Sequence, residues 1–414
     1  MIALRLGGVA EAFADANFRR YSVGSILSWL SFFVQAVAIS WTTWTLTHST
    51  RWLAVVALLD AGTMGLLAPL GGVVADRYDR FRVLMVAYAL ATLHAIALTV
   101  LAFLNLLTVE WLAGLALFHG VVHAFSVPAD FGLLPRFVEP RRLPSAIAVA
   151  AAYAQLGIFV GPALAGWVIL HFGVTAAFAS NVAGYAAFFI AASRLRTPAG
   201  FRPLARSAKP FAHDLMAGLR LVWSHPGVRN LLTLTLFGDA LIAAVRQMLP
   251  ALADLRLHAG VEAFSTLLAC AGVGATLSAL WLAQGGRRRL RVGLVLAAFL
   301  GHLVATVGLL AASTLPVASL AMLARGFCAE ICRTGIVALM QTSVPDEMRG
   351  RVMSAQFFIQ QGAGALGVAF LGATAQPFGL VVPILLGCGL AAGAWLIALR
   401  QRERMATAFS ASPP

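Results

Sequence analysis

Charge is scarce in this chain. Asp, Glu, Lys and Arg make up only 11% of its 414 residues, and Lys209 is the single lysine. Soluble domains carry about 25% charged residues, so no ordinary water-facing exterior can be built from this composition. Cysteine is scarce as well. Cys270, Cys328, Cys332 and Cys388 all lie in apolar stretches and read as small apolar residues, not as a disulfide or metal framework. No Gly-rich loop precedes Lys209, so a Walker A phosphate loop is missing and nothing points to an ATP-driven pump. The opening segment lacks the apolar core of a cleavable signal peptide, and Arg19-Arg20 reads as a cytoplasmic anchor for the apolar run after it, not as a twin-arginine signal. Nothing resembles a nucleophile elbow, a metal-binding frame or a nucleotide loop. An enzyme is the least expected class, and neither cofactor nor resident metal is expected.

What is abundant is apolar surface: 60% of the residues are hydrophobic, with a mean hydropathy of +0.86. Twelve stretches of about 20 residues, the length that crosses a bilayer, can be read between charged or turn-rich breaks. They lie at 21–46, 52–75, 83–105, 110–129, 144–170, 174–193, 229–253, 263–284, 292–312, 316–343, 351–376 and 380–399. The fold class is therefore an all-α polytopic membrane protein with 12 transmembrane helices. The net charge of +14 has two readings, a nucleic-acid surface or a topological signal, and its distribution decides. Of the 30 bases, 25 fall at the two termini and in alternate loops, all on one side; Arg51 and Arg256 lie opposite. The positive-inside rule makes both termini and the central loop cytoplasmic. A nucleic-acid partner is excluded, because the charge is spread over seven short segments and not gathered on one domain. The expected partners are the lipid bilayer, a small-molecule substrate and protons; nothing signals an oligomer, so a monomer is expected.

The only long polar segment, 194–228, contains Pro198, Pro203 and Pro210 and a stretch from Phe211 to Trp223 suited to an interfacial helix. It divides the chain into six spans (1–193), a cytoplasmic linker (194–228) and six spans with a short tail (229–414). The halves echo one another. Val138-Glu139-Pro140-Arg141-Arg142 precedes the fifth span, and Val344-Pro345-Asp346-Glu347-Met348-Arg349 precedes the eleventh, about 206 residues later. A duplicated six-helix unit gives two pseudo-symmetric bundles, with a solute site expected between them near the midplane.

The loop after the second span is more specific. Gly72-Val73-Val74-Ala75-Asp76-Arg77-Tyr78-Asp79-Arg80-Phe81-Arg82 resembles the major facilitator signature, with Asp79 where that signature has glycine and Phe81 where it has a base. The form Ala75-Asp76-Arg77-Tyr78-Asp79-Arg80 resembles the enterobactin-exporter-like branch of efflux permeases. So do Asn17-Phe18-Arg19-Arg20-Tyr21, Val127-Pro128-Ala129, Gly161-Pro162-Ala163-Leu164-Ala165-Gly166 and His225-Pro226-Gly227-Val228-Arg229. The resemblance implies the major facilitator fold, alternating access, and a gating role for Asp76, Arg77, Asp79 and Arg80. Gly72 is expected to let the second span approach a neighbour, and Asp76 to cap a helix N-terminus or to pair with a base. Gly157, Gly161, Pro162 and Gly166 resemble the antiporter motif of drug exporters, with Ala165 at one of its glycines. They are expected to make the fifth span thin and bent, although small residues also serve generic helix packing.

Ionisable groups in hydrocarbon cost a few kcal/mol each or more, so they are kept for a pathway or paired away from lipid. On the seventh span, Asp239 and Arg246 share nearly one face, Asp239 about 15 Å from the cytoplasmic end. The tenth span carries Arg325, Glu330 and Arg333, with Glu330 about 20 Å from the outer end. The resemblance implies that both spans line the central cavity, where the five charges would face each other or the substrate. Two readings stand. In one, the arginines take an anionic group by bidentate pairing and Asp239 or Glu330 takes a coupling proton. In the other, the five charges form a salt-bridge network that stiffens the half.

In the first half, Asp60 lies about 12 Å from the outer end of the second span and needs a partner or water. His119 and His123 stand at i, i+4 on the fourth span, with Gln35 on the first. The pair suits a cavity-lining or proton-relay role or helix packing, and no acidic third ligand nearby favours a metal. His94 and His302 read as lone structural histidines. The fourth span has no arginine where many proton-driven antiporters carry one, so Asp60, Asp239 and Glu330 are the candidate proton sites. The resulting expectation is a proton-coupled exporter of a small organic solute in a bacterial inner membrane. Uptake of a metabolite or vitamin-like anion, or a non-transporting assembly or sensor protein with this fold, are the alternatives.

Overall fold

The computed structural model describes residues 13, 16–131, 133, 143–195, 226–285, 291–343 and 346–405, all in helices or short turns. The linker with its expected interfacial helix, the Arg287–Arg289 loop and most of the Asp130–Arg142 loop lie outside this set. Thirteen α-helices are described: α1 (Ala16–Thr47), α2 (Thr50–Ala57), α3 (Thr63–Arg77), α4 (Arg80–Phe103), α5 (Val109–Phe131), α6 (Leu143–Ser193), α7 (Pro226–Gln247), α8 (Leu249–Leu257), α9 (Val261–Gly285), α10 (Val292–Ala311), α11 (Leu315–Ser343), α12 (Asp346–Phe378) and α13 (Val381–Arg400). Eleven helical runs among the described residues are long and apolar enough to cross a membrane. One of them holds two expected spans, because α6 contains Gly173 at φ 81° and ψ 173°. That left-handed φ suits glycine and turns the chain from the fifth span into the sixth.

Two spans depart from regular helix, and a third starts early. The second is α2, a π-helical turn at Leu58–Gly62, and α3, with Asp60 inside the π turn. Such turns widen a helix by one residue per hydrogen bond and are frequent at functional sites. The seventh breaks at Met248, where Pro250 near the start of α8 has no N–H to continue the ladder. The eleventh starts earlier than expected. Asp346 to Arg351 belong to α12 and not to a loop, because Pro345 followed by Asp346-Glu347 is a helix-start pattern.

The chain divides into two compact units, Met1–Thr47 with Val56–Arg206, and His48–Val55 with Ser207–Pro414. In the second unit, Gln247 Nε2 donates to the Leu53 carbonyl (3.1 Å), and a Cβ at Gly372 would lie 2.1 Å from Ala54 Cβ. Both units close a helix pair through reciprocal glycines. In the first, a Cβ at Gly71 would meet the Ala124 carbonyl oxygen at 1.9 Å, and one at Gly120 the Asp60 oxygen at 2.3 Å. In the second, Gly274 meets Leu323 and Gly326 meets Ala271, each at 2.0 Å from the carbonyl oxygen. The close approach expected of Gly72 belongs to Gly71: a Cβ at Gly72 meets nothing within 4 Å among the described residues. The two glycines are adjacent, so they point about 100° apart on the helix and only one can face the neighbour.

Candidate functional site

The gating loop is built by its aspartate at 79. Asp79 stands at the N-cap of α4 with extended backbone, and its Oδ1 accepts from Phe81 N (2.8 Å) and Arg82 N (3.2 Å). A glycine, usual at this place in the signature, has no side chain to do so. Arg80 Nε donates to the Ala75 carbonyl (3.1 Å), satisfying an orphan acceptor at the end of α3. Of the two roles expected of Asp76, the N-terminal cap does not fit its place, and its pairing with a base lies outside the described side chains. Asp76 falls in the last turn of α3, so the capping role passes to Asp79. Arg77 is exposed.

In the first unit the π turn places Asp60 against α5. His119 Nδ1 lies 2.9 Å from Asp60 Oδ1; the histidine side chain is 4% exposed and the aspartate 39%. His123, one turn on, stacks on His119 (ring centroids 4.9 Å) and on Phe32 (5.1 Å, 7° between planes). His94 of α4 completes the group, its ring 5.1 Å from that of His119. His94 is buried, and His119 Nε2 has no hydrogen-bond partner among the described residues. So His94 is not a lone packing residue. The i, i+4 rings stack instead of converging on a point, and no group of three or more potential metal ligands is present among the described residues.

Gln35 does not join this group. It is buried and accepts a hydrogen bond from Asn181 Nδ2, within the packing of α1 on α6. Gly157 and Gly161 seat Phe33 of α1, with Cβ positions 3.1 and 2.4 Å from its atoms, so the fifth span is thin where expected. Pro162 and Gly166 are buried in the same helix, and the non-helical dihedrals of α6 are at Gly173, not at Pro162. Sequence reasoning missed Asp130, read only as the start of a loop. It lies at the end of α5, accepts from the Tyr21 hydroxyl, and with Ser28, Tyr88, Ser126, His123 and Tyr185 lines a cavity of about 70 Å³. A signal was present: all five tyrosines of the chain fall in its first half.

In the second unit the five charges do not form one network. Glu330 and Arg333 pair on their own helix, with Nη2 2.8 Å from both carboxylate oxygens and Nε 3.0 Å from Oε2; Thr334 Oγ1 donates to the same carboxylate at 2.7 Å. Asp239 accepts from Gln360 Nε2 at 3.4 Å, a neutral partner. Asp239, His302 and Arg333 share the lining of a small cavity of about 20 Å³. Arg325 turns the other way. It is 3% exposed, with Nε 3.3 Å from Thr306 Oγ1 and Nη2 3.3 Å from the Leu241 and Ile242 carbonyls. No carboxylate pairs with it among the described residues. It lies five residues before Glu330, about 140° around the helix, which explains the separation. Arg246 is exposed at the end of α7, without an ion pair among the described residues.

A fold of paired spans with buried charge is what transporters of this architecture use. A D-xylose–proton symporter matches 96% of this chain and 100% of its own at a TM-score of 0.74 and 13% identity, which shows the fold. The enterobactin exporter EntS of Salmonella typhi is 29% identical over 381 residues, covering 88% of this chain and 90% of that one; EntS of Shigella boydii is 28% identical over 383 residues, covering 88% and 89%. The family described as transmembrane secretion effector matches residues 9–413. The chain thus belongs to this family of major facilitator transporters: a multi-pass membrane protein that moves small molecules and not an enzyme, with distant likeness to enterobactin exporters.

Proposed function

We propose that the protein exports a small amphipathic organic solute bearing an anionic group, in exchange for protons, across a bacterial inner membrane with both termini in the cytoplasm. The observation that carries this reading is an unpaired positive charge buried in the second unit. Arg325 is buried on neutral acceptors only, and Arg246 has no ion pair among the described residues. An uncompensated guanidinium in a membrane span is costly, and an anionic ligand relieves that cost. Export is supported by likeness to proteins named as exporters. Asp60, Asp239 and Glu330 remain the proton-bearing candidates. Glu330 is already neutralised by Arg333, which favours the other two. The working division is a bundle at 1–193, a linker at 194–228 and a bundle at 229–414, with Asp76, Arg77, Asp79 and Arg80 gating a monomer.

The test is transport in proteoliposomes holding a pH-sensitive dye, screened with siderophores, drugs, flavins and amino-acid-like anions. One class should drive proton flux, and Arg325→Gln should abolish it while cations and neutral solutes stay unmoved throughout. Flux with neutral or cationic solutes alone would overturn the anionic reading. Solute movement without proton flux would overturn the coupling.

A further inference from the structure

The first unit holds a polar column of which the exporter reading uses only Asp60. At one end is Asp60, 39% exposed and bonded to His119. Its interior is the stack of His119, His123 and Phe32, with His94 tilted against His119. Beyond His123 lies the 70 Å³ cavity, polar at Ser28, Ser126 and Tyr88 and closed by Asp130, which takes the Tyr21 hydroxyl. By this measure one water needs roughly 10–15 Å³ with two or more polar partners, so the cavity suits a few waters. His123 and Asp130 stand seven residues apart on α5, about 10 Å along its axis, a span that those waters can bridge.

We propose that this column is a proton route contained in the first unit: Asp60 and the histidine stack hold one shared proton, and the cavity passes it between His123 and Asp130. This rests on the proton-coupled reading above. Three observations point to it independently of any substrate. The buried His119 Nε2 has no partner among the described residues, which is a cost that a mobile proton or water relieves. The acid sits in a π turn, and Gly120 alone lets α5 approach it. Titrating or hydroxyl groups from five elements face the column, beside apolar Trp29 and Phe32: Tyr21 from α1, Asp60 from the π turn, Tyr88 and His94 from α4, His119, His123 and Asp130 from α5, and Tyr153 and Tyr185 from α6. Stacked rings about 5 Å apart repel when both are charged, so the stack carries one proton at a time. Handover requires His123 to turn about its Cβ–Cγ bond on its cavity side, where an imidazole takes the proton on one nitrogen and releases it from the other.

The experiment needs no substrate. The full chain in proteoliposomes on a solid-supported membrane is given pH jumps between about 8 and 6, across the ordinary imidazole range, and the displaced charge is recorded. The wild type should displace charge. Asp60→Asn and His119→Gln should each cut its amplitude at least about tenfold, and Asp130→Asn should slow its decay to a similar extent. Cys270→Ala, in the second unit, should retain the amplitude. Monodisperse elution of each variant guards against misfolding, and His119→Gln stands in if Asp60→Asn does not fold. Retained amplitude in His119→Gln overturns the route and leaves proton coupling standing. A wild type that displaces no charge overturns both.

Discussion

The two units hold polar centres at matching places and equip them oppositely. Gly120 and Gly326 both press a helix onto a neighbouring carbonyl, and they stand 206 positions apart, as do His119 and Arg325 just before them. His94 and His302 are each buried beside that residue, on the third helical span of their unit. The difference lies at the carbonyl that the glycine meets, which belongs to Asp60 in the first unit and to Ala271 in the second. One centre therefore has a carboxylate hydrogen-bonded to a histidine ring, groups that can exchange a proton. The other has a guanidinium, always charged, facing hydroxyl and carbonyl oxygens. A duplicated scaffold has kept its packing and divided its electrostatics into a titrating side and a fixed positive side.

If the packing is truly common, its loss should be equally severe in both units. Gly120→Leu and Gly326→Leu each force atoms to within about 2 Å of a carbonyl oxygen. Each should cost about 3 kcal/mol or more, and in practice a folded monomer in detergent, read by thermal unfolding and gel filtration. Gly72→Ala, in open space, should change stability by less than about 0.5 kcal/mol. A strong effect in only one of the two units would break the scaffold equivalence.

The electrostatic contrast predicts opposite responses at the matched residues. His119→Leu strands a half-buried Asp60 and should destabilise by about 1–2 kcal/mol. Arg325→Met leaves no stranded counter-ion, so stability should hold within about 1 kcal/mol or rise, while anion transport is lost. A larger stability loss in Arg325→Met would mean that its carbonyl and hydroxyl contacts outweigh its desolvation. The exchange variant sharpens the same point. Ala271→Asp supplies the missing carboxylate, should raise thermal stability by about 1 kcal/mol, and should abolish anion transport by occupying Arg325.

Much of this was legible in the sequence, for identifiable reasons. Hydropathy fixed the spans because a bilayer imposes their length. Asp60 and His119 stood out because ionisable groups in such spans are rare. What was hidden depends on rotation and tertiary proximity. Sequence spacing cannot say which of Gly71 and Gly72 faces α5, that Gln35 turns to Asn181, or that Arg325 turns away from Glu330. His94 is 25 residues from His119, and only the folded chain puts the rings together. Asp130 was masked by its place at the edge of a charged loop, where an acid is unremarkable.

The smallest expected effect concerns the loops that lead into the third span of each unit. Asp79 caps α4 with its carboxylate, whereas Arg291, at the N-cap of α10, has extended backbone and makes no side-chain cap. An N-cap oxygen satisfies amide groups that the helix cannot, and a negative charge there also meets the positive end of the helix dipole. Asp79→Ala should therefore cost about 1 kcal/mol and Asp79→Gly only a few tenths. The glycine of the family signature is thus tolerable here without being equivalent. Arg291→Asp should gain between about 0.5 and 1 kcal/mol, because the backbone is already extended as a cap requires. Thermal unfolding of the four proteins checks the order. If Arg291→Asp gains nothing while Asp79→Ala loses its share, the loops of the two units differ in more than the capping residue, and the match between the halves ends at the membrane surface.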